Sequence, residues 1–133
     1  MLLEPVRQIE LEFATLQLFD PPLVRLEMFG NVLISEKEAR VMNDHIGVLS
    51  EGKEIPVLMV ADEVTQFDSS ARDFSASEEG LRYTLADAMV VKNIAQRLLA
   101  SFYLSFNKPK KPSKMFGREE DAIKWLYSMA EKK

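Results

Sequence analysis

The sequence has no cysteine, a single histidine, a single tryptophan and only five glycines in 133 residues. Without cysteine there is no disulfide, no thiolate nucleophile and no sulfur ligand for zinc or an iron–sulfur cluster. That absence suits a reducing cytoplasm. The lone histidine, His45, has no nucleophile-elbow motif to serve. There is no Gly-rich phosphate loop of either common kind. No apolar run approaches the ~18 residues of a membrane helix. The richest stretch, 98–106, is broken by Ser101 and Ser105. Met1-Leu2-Leu3 runs directly into Glu4, so no secretory signal core is expected and the chain is expected to be cytoplasmic.

What is present reads as globular. Apolar residues make up 47% and charged residues 29%, with a net charge of -4. The length predicts one domain over 1–133, with a core of useful size. Residues 1–67 hold 12 acids and 5 bases, whereas residues 68–133 hold 9 acids and 12 bases. A molecule with one acidic and one basic side is suited to self-association or to docking a charged protein partner. The overall acidity, with no aromatic-interleaved basic motif, speaks against nucleic-acid binding.

Periodicity sets out the elements. Ile9, Leu11 and Phe13 alternate with Glu10 and Glu12, and Leu16 and Leu18 resume in shifted phase. This predicts a half-buried strand with a bulge near Ala14-Thr15. Asp20-Pro21-Pro22 signals a turn. Val24, Leu26 and Met28 then predict a second, antiparallel strand. Ser35 and Glu38 have capping-box spacing, followed by Ala39, Met42, Ile46 and Leu49 on one helical face, with Gly52 as a stop. The unbroken apolar run 55–61 reads as a strand buried on both faces. A second helix is expected from Asp68 to about Glu79, before Gly80, and a fourth strand over 86–91. A third helix over 94–106 has Ile94, Leu98, Phe102 and Phe106 recurring every four residues, widened by Ala95 and Leu99. A basic loop, a short edge strand at Met115-Phe116 and a last helix from Gly117 to about Ala130 complete the chain. The first turn of that last helix carries Glu119, Glu120 and Asp121, which suits the helix dipole. The fold class is α/β: a single domain on a mixed β-sheet, with an N-terminal hairpin and about four helices, mostly covering one face.

This order is carried most specifically by Ala86-Asp87-Ala88-Met89-Val90-Val91, by Gln96-Arg97-Leu98 through Phe106, and by Asn107-Lys108-Pro109. Pro112-Ser113-Lys114-Met115-Phe116 and Glu120-Asp121-Ala122-Ile123-Lys124-Trp125-Leu126 follow. It resembles the sulfate-transporter and anti-sigma-antagonist fold, STAS. The chain is similar to a small bacterial group of sporulation-antagonist-like proteins, related in fold to CRAL-TRIO lipid-transfer domains. The resemblance implies a fold more strongly than a function. It implies a non-enzymatic regulatory or interaction module, with a lipid or small apolar ligand carrier as the alternative. No cofactor is expected. In STAS antagonists a partner kinase phosphorylates the first Ser of Asp-Ser-Ser/Thr-Gly. Here Asp68-Ser69-Ser70-Ala71 stands in the equivalent place, making Ser69 the implied phosphoacceptor. A phosphate at a helix N-terminus meets free N–H groups and the positive dipole end. Ala71 replaces the glycine, and the same three residues are ordinary helix starters.

Other candidates are weaker. Asp62 and Glu63 follow the third strand at its carboxyl end, where open α/β sheets bind ligands; they are candidates for holding a cation or for acid and base work in an enzyme, or for an ordinary polar loop. No histidine or second carboxylate cluster joins them, so no metal site is expected. Lys108, Lys110, Lys111, Lys114 and Arg118 form a basic stretch suited to an anion or lipid headgroup, or to keeping a sheet edge soluble. Phe102, Phe106 and Trp125 are candidates for an apolar ligand pocket, or for plain core packing.

Overall fold

Alternation near the N-terminus produces two strands rather than one. The computed structural model describes residue 2 and residues 4–132. Strand β1 spans Arg7–Glu10 and β2 spans Ala14–Phe19. They pair antiparallel with Ile9 opposite Leu16, and the Leu11 N–H donates to the Ala14 carbonyl at 2.7 Å. The expected bulge is therefore a chain reversal. Residues 11–13 leave the ladder, and the alternation resumes on the returning strand.

After the Asp20-Pro21-Pro22 turn, whose Asp20–Pro21 peptide is cis, β3 (Leu23–Met28) pairs antiparallel with β2. Then come β4 (Leu33–Ile34), α1 (Glu36–Leu49), β5 (Ile55–Ala61), β6 (Gln66–Phe67), α2 (Ser69–Ala76) and β7 (Thr84–Val90). Helix α3 (Ile94–Phe102) widens into a π-helical turn over Tyr103–Asn107, and β8 (Ser113–Phe116) and α4 (Glu119–Glu131) finish the fold. The main sheet has the order β1-β2-β3-β5-β7-β8, parallel from β3 onward. Strands β4 and β6 form a separate parallel pair. Two residues are too few to show a period, so nothing in the sequence announced that pair.

Parity assigns the core. Val24, Leu26, Met28, Ile55 and Val57 meet the inner face of α1, built from Ala39, Met42, Ile46 and Leu49, together with Ala71 and Phe74 of α2. Leu23, Leu58, Val60, Ala86 and Ala88 point the other way, onto Ala122, Ile123 and Leu126 of α4. Both faces of β5 are thus covered, as its continuous apolar run requires. Helices α1, α2 and α3 share one face, and α4 alone covers the other. Helix α1 starts as its spacing implies. The Glu38 carboxylate accepts from the Ser35 N–H at 3.0 Å and from the Ser35 hydroxyl at 2.5 Å.

Arg25 latches α4 to the sheet. Its guanidinium donates to both Glu119 oxygens, at 2.9 and 3.0 Å, and to Glu27 at 2.8 Å. The hydrogen bond to Glu119 is the main reason that the Arg25 proton is held more tightly than usual, and that the Glu119 carboxyl lies below its ordinary range. No helix among the described residues is long and apolar enough to cross a membrane.

Candidate functional site

The start of α2 divides its labour among three neighbouring residues. Asp68 is the N-cap. Its carboxylate accepts from the Ser70 hydroxyl at 2.7 Å and from the Ala71 N–H at 2.9 Å, and these bonds hold its carboxyl below the usual range. The Ser70 hydroxyl also accepts from the Glu36 N–H at 3.0 Å, tying the starts of α1 and α2 together. Ser69 is exposed on the first helical residue. Capping falls to Asp68 and cross-linking to Ser70, so the Ser69 hydroxyl is not needed for either.

Arg72 carries this site toward α3. Its Nη1 donates to the Phe67 carbonyl at 2.6 Å, and its guanidinium carbon lies 5.7 Å from the Phe102 ring centroid. On α3 and its π turn, the four-residue stripe faces outward. Ile94 is 76% exposed, Leu98 66%, Phe102 44% and Phe106 68%, and the two phenylalanine rings stack at 4.9 Å. The inward face is instead Gln96, Leu99, Ala100 and Tyr103, the i, i+3, i+4, i+7 set. The helix has apolar residues on both faces, and the bulkier set is the one left in solvent.

This placement breaks up the pocket expected from Phe102, Phe106 and Trp125. Trp125 sits on α4, on the opposite face of the sheet, against Phe116 with ring centroids 5.6 Å apart. Phe102 and Phe106 line no cavity with it. A cavity does exist elsewhere, between α3, α1 and the sheet. It measures about 120 Å³, and its walls include Met42, Met59, Met89, Leu99, Ala100 and Tyr103.

Two buried residues, Asp87 and the wall residue Tyr103, carry polar atoms without partners. Asp87 lies in the interior strand β7, next to the edge of the sheet, opposite Val57 of β5 and Ser113 of β8. Burial pushes its carboxyl up to about 7, and its Oδ1 has no hydrogen-bond partner. Burial, with help from the Asp87 charge, also raises the Tyr103 phenol, whose hydroxyl is likewise buried and unpartnered. The signal was present in the sequence: one carboxylate inside the run Ala86-Asp87-Ala88-Met89-Val90.

The basic stretch does not act as one patch. Lys111 is tied to Glu54 at 2.6 Å and to the Leu81 and Thr84 carbonyls. Arg118 pairs with Glu120 and Asp121, and the Lys114 ammonium lies 5.5 Å from the Phe116 ring centroid. Lys108 and Lys110 remain exposed, Lys108 in the left-handed conformation that ends the π turn. Asp62 accepts from the Val64 N–H at 3.2 Å, within an exposed loop that also holds Glu63. Among the described residues, no three His, Asp or Glu side chains gather as metal ligands would. His45 Nδ1 lies 2.7 Å from the Val41 carbonyl on its own helix.

No curated protein matches the sequence. Among solved structures, the chain is similar to an uncharacterized protein of the DUF3478 family from Shewanella loihica PV-4, described as having a SpoIIAA-like fold. The two share 14% identity with a TM-score of 0.62, over 90% of this chain and 98% of that one. At that identity the likeness concerns the fold alone, and the fold of this chain is SpoIIAA-like, as the STAS resemblance implied. Residues 23–130, from the first residue of β3 to the last turn of α4, match the family described as Domain of unknown function (DUF7793), and the chain belongs to that family.

Proposed function

We propose that this chain is a non-enzymatic interaction module of the STAS type, acting in the cytoplasm. It docks a protein partner through the outward face of α3, and Ser69 is the point at which a phosphate switches the contact. The observation that carries this reading is contiguity. Arg72, within the first turn of α2, stacks on Phe102 in the exposed stripe. The stripe and the free hydroxyl of Ser69 therefore form one surface. A stripe of four large apolar side chains left in solvent is the usual mark of an interaction site. A phosphate on Ser69 would compete with the Phe67 carbonyl and the Phe102 ring for the Arg72 guanidinium.

The test is a photo-crosslinking residue at position 98, in the organism that makes the protein, with position 124 on the solvent side of α4 as control. The expected result is a discrete heterologous adduct from position 98 alone, with a yield that changes in Ser69→Asp and not in Ser69→Ala. Equal adducts from both positions would refute the docking face.

A second reading, a carrier of lipid or another small apolar ligand, is favoured by the cavity beneath α3. Its volume suits one ring or a short chain rather than a two-tailed lipid. Native mass spectrometry of protein from its own source reads this directly, as a retained small mass.

A further inference from the structure

We infer that the partner segment seated on the outward face of α3 is an acidic amphipathic helix of another protein. The inference rests on the docking reading above and names the chemistry that the same face selects.

Charge supplies the first argument. The chain as a whole is acidic, with 21 acids against 17 bases, yet residues 88–118 contain seven bases and no acid. That interval holds all of α3, its π turn and β8. Three of the seven bases are engaged elsewhere. Lys111 and Arg118 pair with acids, and Lys114 lies over the Phe116 ring, which packs toward α4. The other four, Lys92, Arg97, Lys108 and Lys110, are exposed and enter no ion pair among the described residues. Lys92 lies just ahead of the N-cap Asn93, and Lys108 ends the π turn. Arg97 follows Ile94 by three residues, and Arg72 reaches Phe102 from α2. Bases therefore stand at both ends of the stripe and beside it.

Shape supplies the second. Ile94, Leu98, Phe102 and Phe106 recur every four residues over about 18 Å. A row with that spacing is the ridge that packs into the groove of a second helix. The stacked rings of Phe102 and Phe106 give it an aromatic anchor, the kind of residue that dominates interface energies. A helix laid along the row sets its apolar face on the stripe and its flanks against the bases. Asp and Glu are favoured on those flanks, and Lys and Arg are repelled.

Other occupants fit less well. A two-fold pairing of α3 with a second copy of itself sets base against base. A flat anionic bilayer would meet exposed carboxylates as well as bases. The Asp62 carbonyl accepts from Gln96 Nε2 of α3 at 3.0 Å, and the Asp73 carboxylate accepts from Asn107 Nδ2 in the π turn at 2.7 Å. A single helix, about 10–12 Å across, follows the row without covering either acid.

The test is a displayed library of helical peptides about 14 residues long, selected against the full chain. Leucine is fixed at every fourth position, and Glu, Gln or Lys is allowed beside it. The control chain is neutral in charge change, Leu98→Gln with Phe106→Gln. Both side chains are mostly in solvent, so it should fold. Among peptides enriched over the control, Glu should exceed Lys. The enriched peptides should bind the unaltered chain about tenfold more tightly than their Glu→Lys counterparts, as two or three flanking ion pairs imply. Arg97→Glu with Lys108→Glu should reverse the preference, which a purely structural role for those bases would not do. Enrichment that needs the stripe but shows no preference for Glu would overturn the acidic partner and leave the docking face standing. No enrichment over the control would overturn both. Sedimentation of the unaltered chain with vesicles of phosphatidylcholine and phosphatidylglycerol in equal parts, lost in the control, would overturn the helix in favour of a bilayer.

Discussion

Asp87 should make the protein lose stability as the pH rises, and Asp87→Asn should reverse the order of the two proteins between acid and alkaline pH. The carboxyl sits in the interior strand β7 with Ala86 and Ala88 on either side, and burial pushes it from 3.8 to about 7. In the unfolded chain it ionises near its ordinary value, while in the folded chain it keeps its proton to about neutrality. Between those two values the folded state binds more protons, so its stability falls with rising pH. The contribution is complete below the unfolded value and gone above the folded one. Each tenfold change in proton affinity is worth about 1.36 kcal/mol, which brings the total to about 4 kcal/mol. The amide in Asp87→Asn does not titrate, but it buries a donor with no partner at a cost of about 1–3 kcal/mol. The variant should therefore be less stable by that amount at about pH 3, below the unfolded value, and more stable by about 1–3 kcal/mol at about pH 8. Urea unfolding of both proteins across this range gives the difference, in which other carboxylates cancel. A difference that stays flat with pH, or one in which the unaltered chain gains on the variant as pH rises, would refute the reasoning.

Other perturbations have clear expectations. Gly80→Ala places a methyl group into the Phe74 carbonyl oxygen, a backbone atom that cannot swing aside; a loss of about 2–3 kcal/mol is expected in thermal or urea unfolding. Arg25→Ala removes the forked contact between β3 and Glu119 and should cost about 2 kcal/mol, while Arg25→Lys should recover less than half of it because an ammonium cannot make both bonds. Urea midpoints decide that order. Leu98→Asp alters a side chain that is mostly in solvent, so the melting temperature should barely move. Partner capture at the α3 face should nevertheless fail, and a large loss of stability instead would mean that the stripe is a structural part.

The sheet was legible because its signals are local. The run 55–61 has a length and composition that few other structures accept, and Ser35 with Glu38 marks the start of α1 unambiguously. The reversal at residues 11–13 was hidden because a phase shift in alternation looks the same for a bulge and for a tight turn. The orientation of α3 was hidden for another reason. Both of its faces are apolar, and periodicity reports that a stripe exists without saying which side meets the core. That ambiguity also joined Phe102, Phe106 and Trp125 into a pocket they do not form, since sequence spacing carries no information about which side of a sheet a helix takes. At α2 the sequence placed the helix start at Asp68, where the N-cap is found. The division of Asp68, Ser70 and Ser69 into a cap, a bridge and a free hydroxyl needed the actual bonds of Asp68 and Ser70.

The split of the core across the sheet has a consequence for synthesis. Chains leave the ribosome N-terminus first, at about 5–20 residues per second. Strands β2, β3 and β5 and helices α1 and α2 close one core from residues that all precede Thr84. Their opposite face, with Leu23, Leu58 and Val60, stays bare until Ala122, Ile123 and Leu126 arrive at the far end of the sequence. For that interval the nascent chain is a half-finished sheet with one wet apolar face, the form in which it is most exposed to aggregation and to chaperones.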